Sequence, residues 1–591
     1  MNAPQVADAS RDYLTQLMPP LVRHFDLLAG APQGVARLRE LILSLAVRGM
    51  LVPQDMADEP ASALLERIRT QKDKLIAEGT IKRDTPLSVI TEEEQPFNLP
   101  DGWAWVKLNQ LLSKIGAGST PLGGKEVYVP SGVKFLRSQN VWNDGLRLSD
   151  VAYIKAETHS RMSGTAVTPG DILFNITGAS IGRCAVVPGD FDEANVSQHV
   201  TIIRPVMAAV TSYLHLVLVS AHVQQTVMDV QVGVSREGLS IGKLGQFLIP
   251  VPPLPEQARI VAKVKELMTF CDLLEEKGRL EAEQHRRLVA TLFDSLISAE
   301  SPHELAERWQ RVAAHFDLLL DRPEAVDVLE QTVLQLAVRG LLVPQDPADE
   351  PASHLLERIR SEKDRLIAAG KIKRDKSLAS INEDETPFEL PNGWGWGRLG
   401  EVTDISSGVT LGRKTPLKSP VSLPYLRVAN VQRWKLVLQD VKEVVIDAFE
   451  LERFQLRTGD LLMTEGGDWD KVGRTCIWRN ELPTCLHQNH VFKVRRVFDE
   501  WQPLWAELYL NSTYARAYFA SSAKQTTNLA SINMTQLKSC VFPIPPLAEQ
   551  ARIIARVEEL RRLCADLRAR LSHRKDIQRA LSAALVEQVA A

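Results

Sequence analysis

The chain repeats itself, and this repeat constrains its fold more than any other feature. The segments that match ahead of the divergent inserts are separated by one offset of 291 residues, so no net insertion divides them, and the proline phrase after each insert recurs at an offset of 293 residues. The period is too long, and the copies are too few, for a solenoid. The sequence therefore predicts a tandem duplication of a unit about half the chain long. The matching segments are LAVRGMLVPQDMADEPASALLERIR (45–69) and LAVRGLLVPQDPADEPASHLLERIR (336–360), LPDGWAW (99–105) and LPNGWGW (390–396), and PVPPLPEQARI (250–260) and PIPPLAEQARI (543–553).

Between these matching parts the two copies diverge to a skeleton of short blocks. KFLRSQNV (134–141) corresponds to PYLRVANV (424–431), and TPGDILFN (168–175) corresponds to RTGDLLMT (457–464). The blocks are β-branched and bounded by Gly, Pro, Asn and Asp, a pattern that predicts strands joined by turns. A near-identical frame that holds two different β-rich inserts is suited to reading two different things.

A long helix is predicted after each copy of the PPL-x-EQ-x-RI phrase. Pro255 suits the first helical turn, and Glu256 and Glu549 place negative charge at the helix N-terminus. The apolar residues that follow step by four and three, the 3.5-residue period of a coiled-coil seam. Each helix of about 40 residues would extend roughly 60 Å. The predicted seam consists of Ile260, Val264, Leu267, Cys271 and Leu274 in the first copy, and Ile553, Val557, Leu560, Cys564, Leu567 and Leu571 in the second.

Two copies in one chain can pair about a pseudo-two-fold axis, as isologous dimers do. Antiparallel pairing of the long helices would then hold the two inserts at opposite ends. The predicted class is mixed α/β, with two β-rich α+β domains joined by long antiparallel coiled-coil helices. The predicted segments are a helical frame (1–102), a first β-rich domain (103–250), a first spacer helix (251–300), a second frame (301–393), a second β-rich domain (394–543) and a second spacer helix (544–591).

Composition excludes several classes of protein. No apolar run approaches the roughly 18 to 20 residues of a membrane span, and the N-terminus has no secretory pattern. Six cysteines without CxxC spacing predict reduced, buried thiols in a cytoplasmic protein. The net charge of −3 divides into +2 for residues 103–250, +4 for residues 394–543 and −9 for the remainder. Two mildly basic domains thus lie in an acidic frame.

The succession PGDIL, GRCAVVP, QHV and PPLPEQARI, followed by a long helix, resembles the DNA-specificity subunit of type I restriction–modification enzymes. The resemblance implies that each β-rich domain is a target-recognition domain that reads one half of a bipartite, asymmetric site in double-stranded DNA. It further implies that the helices dock two methyltransferase subunits and that restriction/translocase subunits join this core. S-adenosylmethionine, ATP and Mg would be held by these partners, with no cofactor in this chain.

The residues themselves offer no catalytic constellation. The Pro-Pro pairs lack the preceding Asn or Asp and the following aromatic residue that an amino-methyltransferase requires. GSTPLGGKE (118–126) fails as a nucleotide-binding P-loop because Ser119 and Glu126 replace the required Gly and Ser/Thr. We interpret it as a loop that can approach a phosphate backbone. His199 and His490 occupy matching positions without metal-ligand spacing, which favours a structural role at a strand edge. The chain is predicted to be non-catalytic.

The candidate DNA-contacting residues are Arg, Lys, Asn and Gln side chains beside the strand skeleton, because these types read base edges and phosphates. Those that match between copies, such as Arg183 and Arg474, favour a role in holding phosphates or the fold. Two alternatives stay open: a single-chain restriction enzyme, and a coiled-coil scaffold that binds no DNA. The candidates are Lys125, Arg137, Gln139, Asn140, Arg183 and Arg236 in the first domain, and Arg413, Lys414, Arg427, Asn430, Lys471, Arg474 and Lys524 in the second.

Overall fold

A computed structural model describes residues 25–83, 88–232, 238–412, 417–467, 471–525 and 530–590. The predicted mixed α/β class with two β-rich domains is confirmed. The chain forms two compact units, Met1–Glu281 with Lys575–Ala591, and Ala282–Arg574. We call the β-rich domains head 1 (residues 103–250) and head 2 (residues 394–543). In the described part of the chain, no helix is both long enough and apolar enough to cross a membrane.

The helices follow the duplication. Those of the first copy are α1 Phe25–Gly30, α2 Gly34–Val47, α3 Ala61–Ala77, α4 Ala156–Arg161, α5 Thr211–Val219, α6 Ala221–Val232, α7 Ile241–Gly245 and α8 Leu254–Ile297. Those of the second copy are α9 Pro302–Ala313, α10 Phe316–Leu319, α11 Pro323–Val338, α12 Ala352–Ala368, α13 Leu399–Val402, α14 Leu451–Phe454, α15 Pro503–Leu510, α16 Thr513–Ser522, α17 Met534–Ser539 and α18 Leu547–Ala590.

The strands lie within the heads. Head 1 contains β1 Ala104–Lys107, β2 Leu112–Ala117, β3 Tyr128–Val129, β4 Val133–Leu136, β5 Val141–Trp142, β6 Gly145–Leu146, β7 Ala152–Ile154, β8 Ala166–Val167, β9 Ile172–Asn175, β10 Cys184–Val186, β11 Ala194–Val196, β12 Val200–Pro205 and β13 Leu248–Val251. Head 2 contains β14 Gly395–Arg398, β15 Thr403–Ser407, β16 Pro420–Leu426, β17 Val431–Gln432, β18 Lys435–Leu436, β19 Lys442–Asp447, β20 Leu461–Thr464, β21 Gly466–Gly467, β22 Thr475–Ile477, β23 Leu486–His487, β24 Val491–Arg496, β25 Lys524–Gln525, β26 Ala530–Ser531 and β27 Val541–Ile544.

Each head begins and ends on a pair of adjacent strands. In head 1, β1 pairs antiparallel with β13, and Ala104 lies opposite Val251. In head 2, β14 pairs with β27, and Gly395 lies opposite Ile544. Each head is therefore a domain inserted into the frame, and its first and last strands lie side by side where it joins the frame.

The heads share one sheet and differ in another. The central sheet has the order β10-β9-β12-β2 in head 1 and β22-β20-β24-β15 in head 2, which is the same arrangement of matching strands. The neighbouring sheet has five strands in head 1, β3-β7-β4-β11-β8, and three in head 2, β19-β16-β23. The duplication thus preserves the central sheet and varies what surrounds it.

The repeated proline phrase joins head, frame and long helix. Trp103 Nε1 donates to Glu256 Oε2 at 3.0 Å, and Arg259 Nη2 donates to Asp58 Oδ2 at 2.7 Å. The second copy repeats both bonds, from Trp394 to Glu549 at 2.9 Å and from Arg552 to Asp349 at 2.6 Å. The phrase recurs because its polar residues form the same junction twice.

The predicted seam positions form a buried stripe on each long helix. In the first unit, Ile260, Val264, Leu267 and Cys271 lie in a core cluster with residues of α2 and of head 1, and Leu585 of α18 belongs to the same cluster. In the second unit, Cys564 and Leu571 pack against Val326 of α11. The 3.5-residue period thus marks faces that pack largely against the frame and the heads, a role that periodicity alone does not distinguish from helix pairing.

Ion pairs fix a frame helix to the long helix of the same copy, with opposite polarity in the two copies. Arg39 of α2 donates to Asp272 at 2.6 Å and to Glu275 at 3.0 Å, both on α8. The matching position, 291 residues later, is Glu330 of α11. Glu330 accepts hydrogen bonds from Arg561 at 2.9 Å and from Arg568 at 2.8 Å, both on α18. The residue at this position of the frame helix therefore forms ion pairs with the long helix in both copies, but its charge is reversed.

Candidate nucleic-acid interface

One end of the central sheet carries the same pair of basic residues in both heads. In head 1, the chain leaving β9 is flanked by Arg183 before β10 and by His199 before β12. Asn175 N–H donates to Arg183 O at 2.8 Å, and Ile176 N–H donates to His199 O at 3.0 Å. In head 2, Thr464 N–H donates to Arg474 O, and Glu465 N–H donates to His490 O, both at 3.0 Å. We call this place the sheet-end site.

The shared arginine meets a different partner in each head. The Arg183 guanidinium carbon lies 3.8 Å from the centroid of the Trp142 ring, and the Arg147 guanidinium carbon lies 3.7 Å from the same centroid. In head 2 the residue at the matching position is Gln432, and its Oε1 accepts a hydrogen bond from Arg474 Nη1. One arginine is therefore held by cation–π contact and the other by a side-chain amide.

The shared histidine also has a different partner in each head. His199 Nδ1 and Thr177 Oγ1 are hydrogen-bonded at 2.8 Å. His490 Nδ1 donates instead to the carboxylate Oε2 of Glu465 at 2.6 Å. The two sheet-end sites thus have the same basic residues and different polar neighbours. We find the two histidines exposed at the strand ends, where their strand-edge position was predicted.

Two of the sequence candidates are committed to local structure. Asn140 and Asn430 are each 2% exposed. Asn140 donates its amide to Arg147 O at 2.9 Å, and Asn430 donates to Val437 O at 2.8 Å. These asparagines stabilise the turn that follows β4 and β16. Both side chains are therefore occupied within this turn, and their contact with DNA stays a prediction.

The neighbouring candidates are partly exposed and engage carboxylates or backbone oxygens. Arg137 Nη2 donates to Asp150 O at 3.0 Å, and Arg427 Nη2 donates to Asp440 Oδ2 at 2.8 Å. Gln139 Nε2 donates to Asp150 Oδ2 at 2.5 Å. These contacts lie at the protein surface, so the side chains remain candidates for phosphate contact.

The remaining candidates are dispersed. Lys471 is half-buried in the loop after β21, and Lys524 is exposed on β25. Arg236, Arg413 and Lys414 lie outside the described residues, as does the side chain of Lys125. Of the basic candidates, Arg183 and Arg474 are the two that the fold brings to equivalent places at the end of the central sheet.

The loop that begins at Gly118 owes its glycine to packing. A Cβ at Gly118 would lie 2.0 Å from the carbonyl oxygen of Val196, and a Cβ at Gly408 would lie 1.9 Å from the carbonyl oxygen of His487. No side chain larger than hydrogen fits at such distances. The glycine that suggested a phosphate loop is therefore explained by close approach to the neighbouring strand, and phosphate contact by this loop stays a prediction.

A buried ion pair anchors the far end of β9 and of its counterpart. Asp171, which is fully buried, accepts from Arg204 Nε at 2.6 Å and Nη2 at 2.8 Å. Asp460 accepts from Arg495 Nε at 2.7 Å and Nη2 at 2.6 Å. The hydrogen bonds that Arg204 donates to Asp171 raise the pKa of Arg204 above its ordinary value. Bidentate pairs of this kind fix geometry, so the strands that carry the sheet-end site are held rigidly.

Among the described residues, no group of three or more His, Cys, Asp or Glu side chains is placed to hold a metal ion.

The residues of the sheet-end site that the sequence pattern did not predict are Trp142, Gln432, Thr177 and Glu465. The signal that could have identified them is divergence between copies directly beside a residue that the copies share.

Comparison with known proteins found one matching family and several similar proteins. The profile described as type I restriction modification DNA specificity domain matches residues 100–284 and again residues 391–573. The chain is 34% identical over 572 residues to the type I restriction enzyme EcoEI specificity subunit of Escherichia coli, with 94% of this chain and 93% of that protein covered. It is 35% identical over 581 residues to the EcoAI specificity subunit of the same organism, with the same coverage. The crystal structure of the HsdS subunit from Thermoanaerobacter tengcongensis matches with a TM-score of 0.40 and 21% identity, covering 84% of this chain and 98% of that one.

Proposed function

Because the chain belongs to the family of type I restriction–modification DNA specificity subunits, we propose that its two heads read the two halves of one split duplex sequence. The chain is the DNA-recognition component and not the catalytic one. The observation that carries the proposal is the combination of a preserved central sheet with different surroundings in the two heads. Two different readers on equivalent scaffolds give a bipartite, asymmetric site.

The long helices supply the docking surface for the partners in this proposal. Large apolar side chains on both helices are 42% to 53% exposed, which leaves apolar surface that a partner could cover. We assign this surface to two methyltransferase subunits, with restriction/translocase subunits joining them. The exposed residues are Leu273, Leu280 and Leu288 on α8, and Leu563, Ile577 and Leu581 on α18.

The cofactors of the reaction belong to the partners under this proposal. S-adenosylmethionine would be held by the methyltransferase subunits, and ATP and Mg by the restriction/translocase subunits. We propose a cytoplasmic location, which is supported by the six cysteines, all buried as free thiols, since reduced thiols are typical of that compartment. Neither a single-chain restriction enzyme nor a scaffold that binds no DNA is supported by the comparisons.

The test compares the isolated chain with the chain bound to its methyltransferase partner. Heads with net charges of +2 and +4 neutralise few phosphates, so the isolated chain should bind duplex DNA weakly and lose that binding as salt rises. The assembled complex should bind one sequence tightly, and methylation mapping should show a split, asymmetric site. Failure of the complex to bind any duplex in a salt-sensitive way would contradict the proposal.

A further inference from the structure

The sheet-end site contains a positioning device that differs between the heads. Trp142 Nε1 donates to Gln139 O at 2.8 Å, three residues earlier in the chain. Gln432 Nε2 donates to Ala429 O at 3.0 Å, again three residues earlier. Both side chains are therefore anchored by an N–H group to the same backbone position. Trp142 then offers the face of its ring to Arg183, whereas Gln432 offers its amide oxygen to Arg474.

We propose that the residue at this position, Trp142 in head 1 and Gln432 in head 2, sets which bases the neighbouring arginine accepts. This inference rests on the proposed function and names the site where each head reads sequence. Trp142 and Gln432 act through the arginines, so they are positioning residues. The arginines Arg183 and Arg474 make the contact with DNA.

The chemistry of arginine makes its orientation decisive. A guanidinium is a planar fork of donors that matches the O6 and N7 acceptors of guanine, or the oxygens of a phosphate. Stacking on Trp142 fixes the plane of the Arg183 fork without using any of its donors. Within the described residues, the Arg183 guanidinium donates to no protein acceptor. Its donors therefore all remain for a contact with DNA.

The arrangement in head 2 uses the arginine differently. One donor of Arg474 is committed to the amide oxygen of Gln432, so the fork is partly satisfied by protein. The different histidine neighbours, Thr177 and Glu465, change the polarity of the same surface further. Two arginines at equivalent positions can thus read different bases. An arginine shared by both heads can therefore contact bases as well as phosphates.

The experiment uses the full chain assembled with its methyltransferase partner. The probe is a pool of duplexes randomised at each position of the wild-type site, and the readout is base preference at every position. Trp142→Gln should change the preference at one or two positions of one half-site by about tenfold and leave the other half-site unchanged. Gln432→Trp should do the same in the opposite half-site.

Two further variants make the result decisive. Trp142→Phe keeps a flat ring under Arg183 and should retain the wild-type preference. Trp309→Gln replaces a tryptophan on α9 that is 42% exposed and lies outside both heads, and it should alter no preference. If Trp142→Gln or Gln432→Trp fails to assemble, Gln432→Asn, which shortens the reach to Arg474, is measured in the same way and should shift the preference of its half-site.

The outcomes separate this inference from the function on which it rests. Variants that bind with a uniform loss of affinity, or with wild-type base preference at every position, would overturn the inference and leave the function intact. A wild-type complex that shows no base preference at all would instead overturn the proposed function.

Discussion

Trp103 and Glu256 show how one buried pair makes a sequence phrase recur. The indole N–H of Trp103 is buried and finds its acceptor in Glu256, and the same bond is formed between Trp394 and Glu549. Burial raises the pKa of both glutamates above its ordinary value, although the hydrogen bonds from tryptophan lower it. The buried negative charge of the carboxylate thus lowers stability, while the hydrogen bond that the carboxylate accepts raises it.

Substitution at Glu256 should separate these two effects. Glu256→Ala leaves the indole N–H without an acceptor and should reduce stability by roughly 1–3 kcal/mol. Glu256→Gln keeps an acceptor oxygen without the charge, so at neutral pH it should be at least as stable as the native chain. Because the pKa of Glu256 is raised in the folded chain, the free energy of unfolding should fall as pH rises from the ordinary pKa of glutamate to the raised one. Glu256→Gln should remove this part of the pH dependence.

The measurement is thermal unfolding of the full chain as a function of pH. Glu549→Ala provides the matched control in the other copy and should have an effect of similar size. Equal destabilisation by Glu256→Ala and Glu256→Gln would show that the charge, and not the acceptor, matters.

At this scale the sequence predicted residue types better than partners. Arg183 and Arg474 are candidates because arginine side chains contact base edges and phosphates, and their contact with DNA stays a prediction. Their neighbours Trp142 and Gln432 were missed because a half-buried tryptophan and a lone glutamine carry no chemical signature. Asn140 and Asn430 have suitable amides, yet a local turn uses them. Which acceptor a side chain finds depends on long-range packing that spacing does not report.

At the scale of elements, the reversed ion pairs explain how two similar frame helices choose their partners. Arg39 requires an acidic long helix, and Glu330 requires a basic one. If α11 were placed against the acidic face that binds α2, Glu330 would meet Asp272 and Glu275. Like charges there would oppose the wrong pairing, a device that specifies one arrangement against its alternative.

Charge reversal should test this pairing. Glu330→Arg places a third guanidinium beside Arg561 and Arg568, and it should destabilise the second copy by about 1–2 kcal/mol, since partly exposed pairs are individually weak. Combining it with Arg561→Glu and Arg568→Glu should restore most of that loss. Thermal unfolding at low and high salt provides the measurement, because screening should reduce the penalty.

The matched control is Arg39→Glu, which should be rescued by Asp272→Arg in its own copy and not by changes in α18. Absence of rescue in both copies would contradict a pairing role for these charges.

Element boundaries were predictable where the pattern is local. The spacer helices predicted at 251–300 and 544–591 are observed at Leu254–Ile297 and Leu547–Ala590. TPGDILFN and RTGDLLMT contain β9 and β20, as their β-branched and glycine-bounded composition indicated. The strand order of the sheets was not predictable, because it depends on contacts between distant segments. The packing of the seam against frame and head was missed for the same reason.

At the scale of the whole molecule, each head is a domain inserted into a repeated frame. The pairs β1–β13 and β14–β27 bring the ends of each head together, and the junction of tryptophan, glutamate, arginine and aspartate is the same in both copies. A head should therefore be exchangeable without rebuilding the frame. These strand pairs run from Ala104 to Val251 and from Gly395 to Ile544, one residue beyond the predicted boundaries 103–250 and 394–543 at each end.

The most direct test of the account replaces residues 394–543 with a second copy of residues 103–250. The junction contacts are preserved, so the chain should still assemble with its methyltransferase partner. Both heads would then read the same half-site, and methylation mapping should show an interrupted palindrome built from that half-site, with spacing nearly unchanged. The reciprocal exchange, which places residues 394–543 in both positions, should give the palindrome of the other half-site. A swapped chain that assembles but still directs methylation to the original asymmetric site would contradict the claim that the heads are the readers.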